Sequence, residues 1–196
     1  GRIAWVTGAA PGIGRATAKL LAVRGARVVI ADVNAEALGK VRKDIDRVTR
    51  TGCIAIPFDA GDAASCRGLV AETIAATGRL DVLCNTAGIM DWGPPDTFDE
   101  TRWERMLRIN LSGVFHMCRA AMPHLVESKG AIVNMSSAAG LVGIPYTTAY
   151  CAAKGAVEAL SRAVAVHCLT ERNNVRCNSI HPGSIHTPMG RGIGAK

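Results

Sequence analysis

Aromatic side chains are scarce in this 196-residue chain: three Phe, three Trp and two Tyr make up 4% of it. Its interior must therefore be built from Ala, Val, Ile and Leu, which suits helices packed closely on a sheet. No apolar run approaches the roughly 18 residues that a membrane span needs, and the opening Ile3-Ala4-Trp5-Val6 reads as a strand rather than a leader peptide. No two cysteines are spaced C-x-x-C, and their number, seven, is odd. That argues against a disulfide framework or a zinc site and for free thiols in a reducing compartment, so a cytoplasmic location is expected. Histidines show no ligand spacing, and no metal site is expected. The net charge is +7, yet no five basic residues run together and acids interleave with them, as at Arg42-Lys43-Asp44 and Glu104-Arg105. A solvated surface explains that charge better than a nucleic-acid site. Linkers, low-complexity tracts and fixed-period repeats are absent too.

What is present is alternation. Short apolar runs at 3–7, 27–32, 53–58, 80–84, 131–135 and 175–180 read as strands. Helical patterns at 13–24, 35–50, 63–77, 99–126 and 148–170 lie between them. Pro57 marks an end or irregularity in the third strand, and Pro123 is expected to bend or end the fourth helix. Continuous apolar strands separated by helices predict an α/β fold, a doubly wound parallel sheet covered on both faces, in a single domain over 1–196. The Gly-rich tail 190–196 forms no obvious element.

The first strand runs into Thr7-Gly8-Ala9-Ala10-Pro11-Gly12-Ile13-Gly14 and then a helix. Glycines allow a sharp turn and close backbone approach, and a helix N-terminus offers free N–H groups to a pyrophosphate. The spacing is G-x-x-x-G-x-G rather than G-x-G-x-x-G, so the common dinucleotide fingerprint does not apply directly. Asp32 ends the second strand, where a carboxylate either accepts hydrogen bonds from ribose hydroxyls or caps the next helix. Tyr150 and Lys154 stand at i and i+4 on one helical face. Alone, that spacing equally suits a packed Tyr and a solvated Lys. Ser137, at the end of the fifth strand, sits where open parallel sheets bind ligands.

Five motifs in order, spanning nearly the entire chain, resemble the short-chain dehydrogenase/reductase family. They are T-G-x-x-x-G-x-G at 7–14, Asn85-Thr86-Ala87-Gly88, Asn110, Ser137 with Tyr150 and Lys154, and Pro182-Gly183 followed by Thr187. The resemblance implies a Rossmann-type fold and an oxidoreductase interconverting a secondary alcohol and a ketone, a small-molecule substrate, with NAD. It assigns Asn110, Ser137, Tyr150 and Lys154 as a catalytic tetrad. Tyr150 would be the acid/base, its pKa lowered by Lys154 and the nicotinamide ring; Ser137 would orient the substrate oxygen; and Asn110 would hold a relay water, although that Asn also suits a surface or kink position. Cofactor contacts would come from Gly8, Pro11, Gly12, Ile13, Gly14, Asp32, Val33, Asp59, Ala60, Asn85, Ala87, Gly88, Pro182, Gly183, Ile185 and Thr187, with Tyr150 and Lys154. Asp59 is otherwise a plain turn residue. Pro11 stands where NADP-using relatives often carry a basic residue, and with Asp32 it favours NAD.

The pattern departs in places. Thr86 replaces a second Asn, with the fold expected to survive, and Cys84 replaces a Val as a small core residue. Cys151, beside Tyr150, is a packing residue or a reactive thiol. Met90, Trp92, Tyr146 and Met189 are candidate pocket residues. The last of these motifs stands where family members continue into a substrate loop, a further helix and a last strand. Those parts lie beyond the sequence or are lacking; lacking them would expose a sheet edge and open the pocket. Helices 99–126 and 148–170 would pack against a second subunit in a homodimer or homotetramer. An NADPH-using 3-oxoacyl-carrier reductase and a non-catalytic nucleotide-sensing module are the alternatives.

Overall fold

The computed structural model describes residues 1–191. Within the Gly-rich tail, Gly190 and Arg191 belong to a short helix, and 192–196 lie outside the described residues. Six strands form one parallel sheet: β1 (Ile3–Thr7), β2 (Arg27–Asp32), β3 (Cys53–Pro57), β4 (Val82–Asn85), β5 (Ala131–Met135) and β6 (Arg176–Ile180). Their order is β3-β2-β1-β4-β5-β6, so the winding reverses between β1 and β4. In such sheets the crevice at the reversal is where ligands bind.

Among the described residues seven α-helices accompany the sheet: α1 (Gly12–Val23), α2 (Ala35–Asp46), α3 (Ala63–Thr77), α4 (Glu100–Leu107), α5 (Gly113–Ser128), α6 (Thr148–Thr170) and α7 (Pro188–Arg191). The period-two alternation of β1 and β2 sends their side chains into two cores. Ala4, Val6, Val28 and Ile30 pack under α1 and α2 with Leu38, Val41 and Ile45. Ile3, Trp5, Val29 and Ala31 turn the other way, to a core with Leu69 of α3, Met117 and Leu125 of α5 and Val157 of α6. Burial on both faces explains why these strands read as continuous apolar runs.

The fourth predicted helix is two helices joined by a π-helical turn, Arg108–Ser112. Pro123 does not end the second of them, which runs on to Ser128. The break lies at the π turn instead, where the Gly113 N–H reaches back to the Arg108 carbonyl. Such single-turn insertions mark functional positions; this one rotates Asn110 into full burial. No helix among the described residues is long and apolar enough to cross a membrane. Six of the seven cysteines are buried, Cys84 among them, and all are free thiols.

Candidate active site

The loops leaving β1 and β4 are laced together at the reversal point. The Thr7 hydroxyl accepts the Thr86 N–H at 3.2 Å and the Ala87 N–H at 3.3 Å, and the Thr86 hydroxyl donates to the Thr7 carbonyl. Thr86 thus does structural work in place of the expected Asn. Gly8 has φ +65°, and a Cβ there would lie 2.5 Å from the Ala87 Cα. A Cβ on Gly14 would lie 2.2 Å from the Gly8 carbonyl oxygen. The backbone therefore closes on itself at two points that tolerate only glycine.

The end of α1 facing this turn is left open. Helices α2, α3 and α4 are capped by the side chains of Asn34, Asp62 and Asp99, whereas Pro11 gives α1 no side-chain cap and its first turn holds no acid. Free N–H groups at a helix N-terminus attract an anion. Asp32 does not cap α2, since Asn34 takes that place. Its carboxylate accepts the Ala10 and Asn34 N–H groups, each at 3.0 Å, tying the glycine loop to the end of β2. Each oxygen keeps a lone pair for a further donor. Val33 beside it is 75% exposed. Asp59 is a turn residue, accepting the Gly61 N–H at 2.7 Å, and it also lines the same cleft.

That cleft has a volume of about 660 Å³. It runs from Gly8, Pro11, Gly12, Ile13, Gly14, Asp32, Val33, Asp59 and Ala60, past Ala87 and Gly88, to Ser137, Tyr150, Lys154, Pro182, Gly183, Ile185 and Thr187. The segment after β6 spans its mouth: the Ala138 N–H donates to the Pro182 carbonyl at 2.9 Å, and Thr187 faces Gly12. Met90 and Met189 line the cleft as expected, but Trp92 and Tyr146 do not. Phe58, Arg105, Arg108 and Ile109 also line it and were not anticipated. The i, i+3, i+4 spacing of the last three, just before Asn110, was the available signal.

Asn110 and Lys154 are both buried and hydrogen-bonded to backbone. Asn110 is fully buried, and its amide grips one residue of the β4–α4 loop from both sides: Oδ1 accepts the Ile89 N–H and Nδ2 donates to the Ile89 carbonyl, both at 2.8 Å. Burial excludes a surface role, although the residue does lie in the π turn that breaks the helix, and the side chain is committed to the loop. Lys154 is 3% exposed and donates from Nζ to the Met135 carbonyl at 2.7 Å. Burial without a carboxylate pushes its ammonium down to about 8. The Nζ lies 5.6 Å from the centre of the Tyr150 ring. Tyr150 was expected to be lowered by this cation; in the protein itself burial raises it, the Ser137 hydroxyl pulls it back and the Cys151 thiol adds to the rise. The Lys154 ammonium is turned instead toward the Met135 carbonyl. Cys151 packs around Tyr150 with its Sγ 3.3 Å from the Thr147 hydroxyl.

Asn85 was expected to flank a ribose, but its side chain turns beneath the sheet. Its Nδ2 donates to Asn134 Oδ1 at 2.9 Å, next to the Cys118 thiol. The two residues stand in register on neighbouring strands, so the pair ties β4 to β5 inside the core.

The residues present fit a nicotinamide dinucleotide: an uncapped helix end and glycine turn for phosphate, a carboxylate at the end of β2 for ribose, and a buried Tyr–Lys pair at the far end. A family model described as short chain dehydrogenase matches residues 2–196. Trans-4-hydroxycyclohexanecarboxylate dehydrogenase from Sinomonas cyclohexanicum is 37% identical, over 98% of this chain and 75% of that protein. The crystal structure of levodione reductase superposes with a TM-score of 0.94 at 33% identity, over 98% of this chain and 75% of that one. An alcohol dehydrogenase from the archaeon Thermococcus sibiricus, complexed with 5-hydroxy-NADP, gives 0.91 at 25% identity, over 96% of this chain and 79% of that one. The chain belongs to the short-chain dehydrogenase family, oxidoreductases that act on CH–OH groups with a nicotinamide cofactor.

Proposed function

We propose that this oxidoreductase interconverts a small cyclic or otherwise apolar secondary alcohol and its ketone with NAD, using Tyr150 as the acid/base. The observation that carries the reading is the meeting of Tyr150, Lys154 and Ser137 at one end of a cleft whose other end is the glycine turn. The nicotinamide, when bound, supplies or accepts the hydride. Tyr150 gives its phenolic proton to the developing alkoxide during reduction and takes the hydroxyl proton during oxidation. Burial raises its pKa and so favours the protonated form, the one that gives up a proton in reduction. Ser137, held at the start of a 3-10 turn with its Oγ accepting the Ala139 N–H, orients the substrate oxygen. Lys154 holds a positive charge behind the Tyr150 ring. Asn110 acts by fixing the loop at Ile89.

NAD is favoured over NADP because Asp32 would repel a 2′-phosphate and nothing basic stands at Pro11. Apolar substrates are favoured by Met90, Ile144 and Met189 along the wall, and the name of the Sinomonas relative carries a cyclohexane ring. A homo-oligomer built on α5 and α6 is supported by the exposure of Phe115, Val126, Val166 and Leu169. The free thiols support a reducing, cytoplasmic location. Nicotinamide absorbance with NADH and NADPH, each against a panel of cyclic and open-chain ketones, tests the reading. Turnover with NADH that is lost in Tyr150→Phe is expected; turnover with NADPH alone would overturn the cofactor assignment.

A further inference from the structure

The β4–α4 loop, residues 86–99, has no regular secondary structure, yet it carries Met90 into the cleft. A long irregular loop holds one shape only if its backbone is pinned. Asn110 pins it at Ile89. A second pin lies on α4. Arg102 Nε donates to Asp91 Oδ2 at 2.7 Å, its Nη2 donates to Asp91 Oδ1, and the same Nη2 donates to the Trp92 carbonyl at 2.9 Å. The guanidinium also lies over the Phe98 ring, 4.9 Å from its centre. One side chain therefore holds the loop at three residues, using the planar fork that only Arg offers. The Arg102 hydrogen bonds hold the Asp91 carboxyl below the usual carboxylate range, so the pair stays ionised in weak acid.

The pinned loop in turn reaches the helix bearing Tyr150. A Cβ on Gly93 would sit 2.6 Å from the Phe98 ring, so the loop crosses directly over that ring. The Gly93 N–H donates to the Tyr146 carbonyl at 2.9 Å, and Gly93 pairs with Thr147 as an isolated bridge. Thr147 is the residue from which α6 starts, and its carbonyl accepts the Cys151 N–H at 2.8 Å. Met90 packs in one cluster with Met106, Ala149 and Tyr150. Arg102 thus closes a ring of contacts: α4 to loop, loop to the start of α6, and α6 back to α4 through Met106.

We propose that Arg102 is a positioning residue that sets substrate selectivity, by holding Asp91, Trp92 and Phe98 so that Met90 forms a fixed wall opposite Tyr150. The inference rests on the reading of Tyr150 as the reacting group. Arg102 touches neither cofactor nor proton path, so its loss acts on substrate fit rather than on chemistry. Releasing the loop misplaces the wall, and small misplacements at a reacting centre cost about tenfold or more.

The test compares wild type with Arg102→Ala, Arg102→Lys and Asp91→Asn, measuring KM and kcat for a cyclic and an open-chain ketone, NADH affinity by fluorescence titration, and melting temperature. Each variant is expected to raise KM about tenfold and narrow the cyclic-to-open-chain preference, with NADH affinity and the pH profile of kcat unchanged. The swapped pair Asp91→Arg with Arg102→Asp restores the ion pair but neither the Trp92 nor the Phe98 contact, and is expected to recover only part of the loss. Unchanged KM and preference in all three single variants would overturn the proposal, as would equal losses in NADH affinity and KM. If Arg102→Ala fails to fold, Asp91→Asn and the swapped pair decide. Tyr150→Phe run alongside separates the two ideas: full turnover there sinks the catalytic reading whatever Arg102 does.

Discussion

The Ser136 hydroxyl donates to the carbonyl of Lys154 across 2.8 Å, while the Lys154 ammonium donates to the carbonyl of Met135 across 2.7 Å. Two adjacent residues at the end of β5 thus grip Lys154 at both its backbone and its tip. Ser136 is 2% exposed, so its bond is made in a dry environment. Ser136→Ala is expected to lower kcat about tenfold with NADH affinity nearly kept, and to cost about 1 kcal/mol of stability. Ser136→Thr, which keeps the hydroxyl, is expected to recover part of the rate. Steady-state kinetics with urea unfolding checks this; an alanine variant with wild-type kcat would show that Lys154 needs no such hold.

The glycine turn predicts a different kind of loss. With a Cβ, Gly14 would meet the Gly8 carbonyl at 2.2 Å and the Thr86 hydroxyl at 2.5 Å. Both neighbours are fixed, the first as backbone and the second by its bond to Thr7. Gly14→Ala is expected to separate the β1 and β4 loops and weaken NADH binding about 100-fold, or about 3 kcal/mol. Pro11→Ala, which only removes a ring from an uncapped helix end, is expected to stay within about threefold. Fluorescence titration of NADH measures both, and equal affinities for the two variants would remove the turn from cofactor binding.

Much of this was legible in the chain itself, and the failures share a cause. Helix α6 matched its predicted range because 3.6-residue periodicity persists over its whole length, and that periodicity is what puts Tyr150 and Lys154 on one face. The π turn was not legible. It is one extra residue in a helical pattern, retained because Asn110 gains Ile89 as a partner 21 positions away. Asn85 failed for a related reason: a strand buried on both faces gives no sign of which side chain turns toward the cleft and which beneath the sheet. The Arg102–Asp91 clamp joins a helix to an irregular loop, where no periodicity exists to read. The rise in Tyr150 pKa likewise needed burial, which spacing does not report.

Asp32 carries two burdens, and removing it should separate them. Its carboxylate anchors the Ala10 and Asn34 N–H groups, and it faces the cleft beside Val33. Asp32→Ala removes the charge that would repel a 2′-phosphate and also frees the glycine loop. The expected result is a loss of kcat/KM with NADH together with a fall of about 100-fold in the preference for NADH over NADPH. Asp32→Asn keeps acceptor capacity on one oxygen, so it should hold the loop better while losing the discrimination. Kinetics with both cofactors decides; an unchanged preference ratio in both variants would place cofactor choice elsewhere.

Stability should fall in alkali, because buried thiols outnumber the one buried ammonium. Burial pushes Cys53 and Cys118 up to about 12, and Cys66, Cys84 and Cys177 up to about 11. Unfolded, each would ionise near ~8.5. A raised folded pKa means that the stability from each protonated thiol is complete below about pH 8.5 and is lost as pH climbs toward 11 or 12. Lys154 runs the other way. Its folded value, about 8, lies below the unfolded value near ~10.4, so the native state holds fewer protons between them and gains stability as pH rises through that window. Each group changes stability by about 1.4 kcal/mol per pH unit inside its window, and five thiols oppose one amine. The unfolding free energy from urea titrations under reducing conditions should therefore drop steadily from about pH 8.5 to 10, by several kcal/mol in all, with the midpoint falling alongside. Cys84→Ala should make the fall shallower by one thiol's share, and Lys154→Met should make it steeper. A midpoint that holds level or rises over this range would mean that the thiols are not kept from water as their burial implies.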